Sequence, residues 1–227
     1  RTTGMDFLFD GIIRTAAPGY ELIAVEAAVT NFPTQDALWH EIELVASEIR
    51  RTYAMEQIRH RPAIAATRDV YKALGKEPNR YRPSAEALCR RIVKGLGLYR
   101  STALVDLVNL LSLRSGHSIG AFDADSIKGD VLTLGAGRDG EPYAAIGRGE
   151  LNIAGLPVWR DSIGGIGTPT SDNERTKISS DTRRLLMTVN IYGQGDMPDG
   201  DFEQLLRRLL AGYASATEIS IRKLHIK

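Results

Sequence analysis

The sequence predicts an α+β fold, and three observations carry that prediction. An apolar, strand-like stretch lies near the start at residues 22–29. Helix-spaced apolar patterns then crowd the first half, and from Ile119 onward the chain switches to short β-like runs. Helices gathered first and strands later give the order of an α+β protein. A chain of 227 residues, 43% of them hydrophobic, is ample for a sizeable core, and a single domain over residues 1–227 is the simplest organisation.

Taken in order, residues 22–29 (LIAVEAAV) are apolar apart from one glutamate, the pattern of a strand in a largely covered sheet. Pro33 and Thr34-Gln35-Asp36 open a helix in which Leu38, Ile42, Val45 and Ile49 recur at helical spacing. A second helix is expected over residues 68–74, ending at Gly75, and Pro78 and Pro83 bracket an irregular, basic Asn79-Arg80-Tyr81-Arg82. Ser84 is placed to cap a helix reaching Lys94, with Gly95 as its stop. Its stripe of Ala85, Leu88, Cys89, Ile92 and Val93 pushes Arg90, Arg91 and Lys94 to the outer face. Cys89 belongs to that stripe and reads as a core residue rather than a nucleophile.

Residues 105–125 (VDLVNLLSLRSGHSIGAFDAD) read as an almost wholly apolar helix, capped by Ser101 or Thr102 and stopped by Gly116, then a short strand into Phe122-Asp123. That helix carries Asp106 and Asn109. An unpaired buried polar group costs about 1–3 kcal/mol, so each either staples the fold or faces a pocket. The β-like runs that follow are residues 131–134, 143–146, 151–153, 157–159, 185–191 and 217–226. Asp139-Gly140 is a hairpin signal, Gly155 marks another turn, and residues 202–210 form a late amphipathic helix.

The net charge is only +1, but it is unevenly spread. Residues 61–100 hold ten basic and three acidic side chains, so that segment is about +7 and the remainder about −6. Two readings stand: a solvated helix face, or a nucleic-acid surface made by Arg80, Arg82, Arg90, Arg91, Lys94 and Arg100. The lone Cys89 cannot form an internal disulfide, which points to a reducing, cytoplasmic setting. No apolar run approaches the roughly 18–20 residues that span a bilayer, and the opening RTTGMDFLF does not read as a signal peptide.

His40, His60, His117 and His225 are scattered, so neither a metal nor a cofactor is expected. The glycine-rich residues 163–170 (IGGIGTPT) match neither phosphate-loop pattern and fit a tight turn or a close backbone approach. Beyond them Ser171-Asp172-Asn173-Glu174-Arg175-Thr176-Lys177 is unusually polar, either an exposed loop or a pocket wall.

Three segments then stand out together: Tyr81-Arg82-Pro83-Ser84-Ala85-Glu86-Ala87-Leu88, residues 104–123 with Val-Asp-Leu-Val-Asn and Ala-Phe-Asp, and residues 164–182 with Ser-Asp-Asn-Glu-Arg-Thr-Lys. In that order they resemble the B3/B4 domain of the phenylalanyl-tRNA synthetase beta subunit, and more closely the stand-alone proteins built of little more than it. The resemblance is strongest over residues 18–213. It implies a layered α+β fold, a β-sandwich of unusual topology flanked by helices. It also implies an editing site that hydrolyses the ester of an amino acid wrongly attached to tRNA.

Carried over residue by residue, the family's pocket asparagine matches Asn109. Its histidine eleven residues later is here Gly120, and its glutamate six residues after a threonine is here Thr188, counted from Thr182. The polar residues Glu174, Arg175, Thr176 and Lys177 complete the expected pocket. Losing a carboxylate and an imidazole removes a strong acceptor and a water-positioning group.

Two function classes follow. One is a free-standing hydrolase of mischarged aminoacyl-tRNA, with Asn109 orienting the substrate, a backbone-held water attacking, and the basic segment meeting acceptor-stem phosphates. The other is a non-catalytic module for RNA, a small ligand or a protein that kept the fold and changed the pocket. The sequence assigns no catalytic group and no oligomeric state.

Overall fold

The computed structural model describes residues 4–226. Arg1, Thr2 and Thr3 of the opening stretch and Lys227 lie outside the described residues. In chain order the elements are β1 (Asp6–Phe9), α1 (Gly11–Ala16), β2 (Glu21–Ala28), α2 (Asp36–Thr52), α3 (Pro62–Ala73), α4 (Ser84–Val93), α5 (Ala103–Ser115), β3 (Ser118–Asp123) and β4 (Val131–Ala136). There follow β5 (Ala144–Ala145), β6 (Gly149–Glu150), β7 (Pro157–Arg160), β8 (Gly165–Gly167), β9 (Arg184–Ile191), α6 (Asp199–Tyr213) and β10 (Thr217–His225).

Two four-stranded sheets organise them, one ordered β1-β4-β7-β8 and the other β10-β2-β9-β3. The second sheet is the middle layer, and the alternation of its side chains explains why. Ile23, Val25 and Ala27 of β2 join Leu185, Met187, Val189 and Ile191 of β9 under the helical core of α2, α4, α5 and α6. Their neighbours Leu22, Ala24 and Leu186 point the other way, onto Phe7, Leu132, Leu134, Trp159 and Ile166 of the first sheet. A strand covered on both faces has no solvated side, hence the continuous apolar run at residues 22–29. The fold is α+β, a sandwich of two sheets with α2, α4, α5 and α6 over one face, while Ile13 of α1 and Val70 of α3 join the core shared with the first sheet.

Several local expectations are corrected. The helix expected over residues 68–74 begins at Pro62, whose missing N–H suits a first helical position. Thr67 and Arg68 lie on its buried face and break the apolar pattern. Ser84 does not cap α4: Pro83 occupies the cap position, Ser84 is the first helical residue, and the helix ends at Val93. At α5 Thr102 holds the cap position without a side-chain bond to the helix. The helix N-terminus is instead satisfied from a distant loop, by Asn31 Oδ1 accepting from Leu104 N–H at 3.0 Å. Asp139-Gly140 makes a turn but no hairpin, since β4 pairs with β7. The run at residues 151–153 is not a strand, and that at 143–146 shrinks to the two residues of β5.

Candidate functional site

α5 ends at Gly116, whose φ of +81° is the left-handed conformation glycine adopts without penalty, and the chain turns straight into β3. That turn leaves the outer part of α5 beside the open edge of the middle sheet. The loop after β8 and the N-terminus of α4 close the other sides. The result is a cavity of about 480 Å³, lined by Asn109, Val105 and Val108 of α5, Ile119 and Ala121 of β3, and residues of the loop after β8 that include Asp172. Its size lies within the ordinary range for small-ligand sites.

Asp106 and Asn109 separate cleanly. Asp106 is 1% exposed and accepts from the Thr34 hydroxyl and from Ser101 N–H at 2.9 Å. Burial raises its carboxyl above the usual range, against the pull of those two bonds. It staples the entry of α5 to the loop before α2. Asn109 borders the cavity with no hydrogen-bond partner among the described residues.

Gly120 and Thr188 sit elsewhere. They are cross-strand partners of β3 and β9 and face the space between the two sheets, whereas Asn109 lies on the helix side of β3. Together with Phe122, Trp159 and Gly167 they line a separate pit of about 10 Å³, room for one water and not for a side chain. Thr188 is fully buried and its hydroxyl has no partner. Beside it Asn190 is well satisfied, accepting from Tyr20 Oη at 2.7 Å and Trp159 Nε1 at 3.0 Å. Pit and cavity share Thr168 and Asp172.

Of the polar loop, only Lys177 among the four expected pocket residues borders the cavity, and it pairs with Glu174 at 2.6 Å. Glu174 also accepts from Gly147 N–H. Arg175 makes two bonds of 2.8 Å to Asp161 on the far side of the loop. Burial acts to raise the Asp161 carboxyl, but Arg175 and three backbone N–H groups hold it down at about 2. Thr176 is wholly buried with an unpartnered hydroxyl.

Sequence reasoning passed over Asp172, a member of the same polar run. Its carboxyl sits where the pit meets the cavity, and its one hydrogen bond is a long contact from Ala121 N–H at 3.5 Å. Burial without a cation pushes it up to about 8. Its place in the polar run beyond the glycine-rich turn is the signal the sequence offers, and polar residues in loops are too common to single it out.

The basic segment divides into two populations. Arg61, Arg68 and Lys76 are buried at 4%, 6% and 7% exposure and do structural work. Arg61 pairs with Asp196, Arg68 with Glu86, and Lys76 donates to Asn152 O at 2.7 Å. Of the six candidate phosphate contacts, Arg80, Lys94 and Arg100 are exposed and Arg82, Arg90 and Arg91 half-buried. Arg100 immediately precedes the cavity-lining Ser101, and Arg82 lies two residues before the cavity-lining Ser84. Arg100 also binds Asp36, at 2.7 Å, and Arg91 lies over the Tyr99 ring at 4.5 Å. Arg90 and Arg91 lie about 9–11 Å along α4 from Ser84, and Lys94 follows its last residue. Among the described residues no group of three or more His, Cys, Asp or Glu side chains is arranged to hold a metal, and no helix is long and apolar enough to cross a membrane.

Comparison with known proteins gives this arrangement a family context. A family model described as the B3/4 domain matches residues 66–195, which contain α4, α5, β3 and the polar loop. The phenylalanine–tRNA ligase beta subunit of Brucella abortus (strain 2308) is 36% identical over 83 residues, covering 36% of this chain and 10% of that protein. The corresponding subunit of Bartonella quintana (strain Toulouse) is 34% identical over 106 residues, covering 44% and 13%. The matched segment is thus only about a tenth of those relatives' length. An N-terminal fragment of the phenylalanyl-tRNA synthetase beta-subunit from Pyrococcus horikoshii aligns over 100% of this chain and 56% of its own, with a TM-score of 0.47 and 14% identity.

Proposed function

Because the chain belongs to the B3/4 domain family, we propose that its cavity receives the aminoacyl end of a tRNA and hydrolyses the ester in trans. The observation that carries this reading is the 480 Å³ cavity itself, with the unpartnered Asn109 amide on one wall and the Asp172 carboxyl on another. Arg82 and Arg100, beside its lining segments, would meet phosphates nearest the acceptor end, and Arg80, Arg90, Arg91 and Lys94 those further along.

The chemistry follows from what the cavity contains. Cys89 is 0% exposed in the helical core and unavailable as a nucleophile. Ser84, Ser101 and Ser171 border the cavity, but none has a histidine hydrogen-bonded to it to act as base. Water is therefore the attacking group, and the protein contributes by positioning: Asn109 orients the ester and polar groups of the loop after β8 hold the water.

A second reading is favoured by one observation. The positions where the family resemblance expects a histidine and a glutamate are Gly120 and Thr188, and they close on a pit that admits only a water. A module that binds its ligand without turning it over is consistent with that. Incubation with tRNAs carrying several different wrong amino acids separates the two. Ester loss above the spontaneous rate for at least one tRNA supports hydrolysis, and none across the panel leaves the binding module.

A further inference from the structure

The buried acids near the site have an evident partner: Asp106 has Thr34 and Ser101, Glu86 has Arg68, and Asp161 has Arg175, whereas Asp172 is half-buried. Asp172 has one long contact from a backbone N–H, and among the described residues no lysine, arginine or histidine is paired with it. Even Lys177, which borders the same cavity, is turned to Glu174. The position is also sterically prepared. A β-carbon on Gly167 would come within 2.6 Å of Phe122 Cζ and 2.9 Å of Asp172 Oδ1, so glycine in β8 leaves room for both the ring and the carboxyl. The rest of the cavity offers apolar walls from Val105, Val108 and Ile119, neutral polar groups from Asn109 and Thr168, and the Lys177 ammonium, which Glu174 neutralises. It therefore holds one acid that lacks a cation and a volume suited to a small ligand.

We propose that Asp172 is the counter-ion for an ammonium group of the ligand, so that the cavity selects aminoacyl compounds with a free α-amine over N-acylated ones. The inference rests on the cavity being the ligand site, as read above, but not on hydrolysis. An ammonium placed against the carboxyl makes a charge-assisted hydrogen bond and supplies the cationic partner that no side chain gives it. Near neutral pH the acid, at about 8, is mostly protonated. Binding an ammonium ionises it, and one proton passes to solvent.

The test is equilibrium binding of alaninamide, leucinamide, phenylalaninamide and tyrosinamide, each beside its N-acetyl counterpart. Calorimetry at pH 7 in two buffers of different ionisation enthalpy reads the released proton. At least one free amine should bind about 10- to 100-fold more tightly than its N-acetyl form, with a buffer-dependent enthalpy. Asp172→Asn, which preserves the shape of the neutral acid, should abolish both the preference and the proton release while its circular dichroism is unchanged. Equal binding of blocked and free forms, a preference that survives Asp172→Asn, or no binding by any of the four amines overturns the proposal. Deacylation of tRNA is scored separately, so amine selectivity without ester loss removes hydrolysis alone.

Discussion

Gly120 and Thr188 face each other across β3 and β9 so closely that a β-carbon on Gly120 would lie 2.7 Å from Thr188 Oγ1 and 2.7 Å from Phe122 Cζ. The Phe122 ring is 0% exposed between the sheets and has little room to yield. Gly120→Ala should therefore destabilise the protein by about 1–3 kcal/mol, the usual cost of overpacking, as read by urea unfolding. Thr188→Ala in that background should recover part of the loss by removing one of the two close contacts. Full stability of Gly120→Ala would mean that the pit is looser than these distances state.

Asp106 and Asn109 lie one turn apart on α5 and should respond in opposite ways. Asp106→Ala strands the Ser101 N–H, while the Thr34 hydroxyl keeps Ser101 O as an acceptor at 3.1 Å, and should cost about 1–3 kcal/mol. Asn109→Ala breaks no hydrogen bond and should change stability by about 0.5 kcal/mol or less, while weakening ligand binding or turnover. Thermal unfolding of both variants beside a binding measurement decides this. An Asn109→Ala protein that loses only thermal stability would make the residue structural.

The basic segment should split along the same line. Glu86→Ala leaves the Arg68 guanidinium in a buried site without its carboxylate and should cost about 3–5 kcal/mol in chemical unfolding. Replacing Arg90, Arg91 and Lys94 together by alanine should barely alter unfolding. If all three meet phosphates, it should reduce the slope of log affinity against log salt for single-stranded RNA by about 2. An unchanged slope would remove the end of α4 from the RNA surface.

Asp172 and His117 give the stability two opposed dependences on pH. A carboxyl held at about 8 binds its proton more tightly folded than unfolded. Its contribution is thus most favourable near pH 4 and declines as pH rises through 8. Burial lowers His117 to about 4, so its contribution is present above about pH 6.5 and is lost as pH falls through 4. Asp172→Asn should accordingly match the parent near pH 4 and exceed it at pH 8. Each 1 kcal/mol of relief raises Tm by about 2–4 °C in a chain of this length. Equal melting temperatures at pH 8 would mean that the carboxyl is better solvated than its surroundings indicate.

Much of this architecture is legible in the sequence, because periodicity and composition encode what a segment buries. The apolar run at residues 22–29 requires cover on both faces, and β2 has it. The stripe containing Cys89 and the glycine stop at Gly116 likewise reflect local rules of helix amphipathicity and termination, and both stand in the structure. The ordered segments around Arg82, Asn109 and Asp172 were enough to indicate the family.

Only the tertiary structure decides which polar residues meet. Asp106 is satisfied by residues 72 and 5 positions away, and the α5 terminus by Asn31, 73 positions away. The two contacts 72 and 73 positions away leave no trace in a local pattern. The same holds for charge: Arg61, Arg68 and Lys76 look like surface cations in a basic run, yet long-range partners draw them inside. Strand alternation puts Gly120 and Thr188 on the opposite side of β3 from Asn109. It takes the folding back of the loop after β8 to bring an unpaired acid, Asp172, against both. Sequence alone carries the scaffold because burial is a property of segments. The site depends on distant groups meeting, and that is decided by how the layers pack.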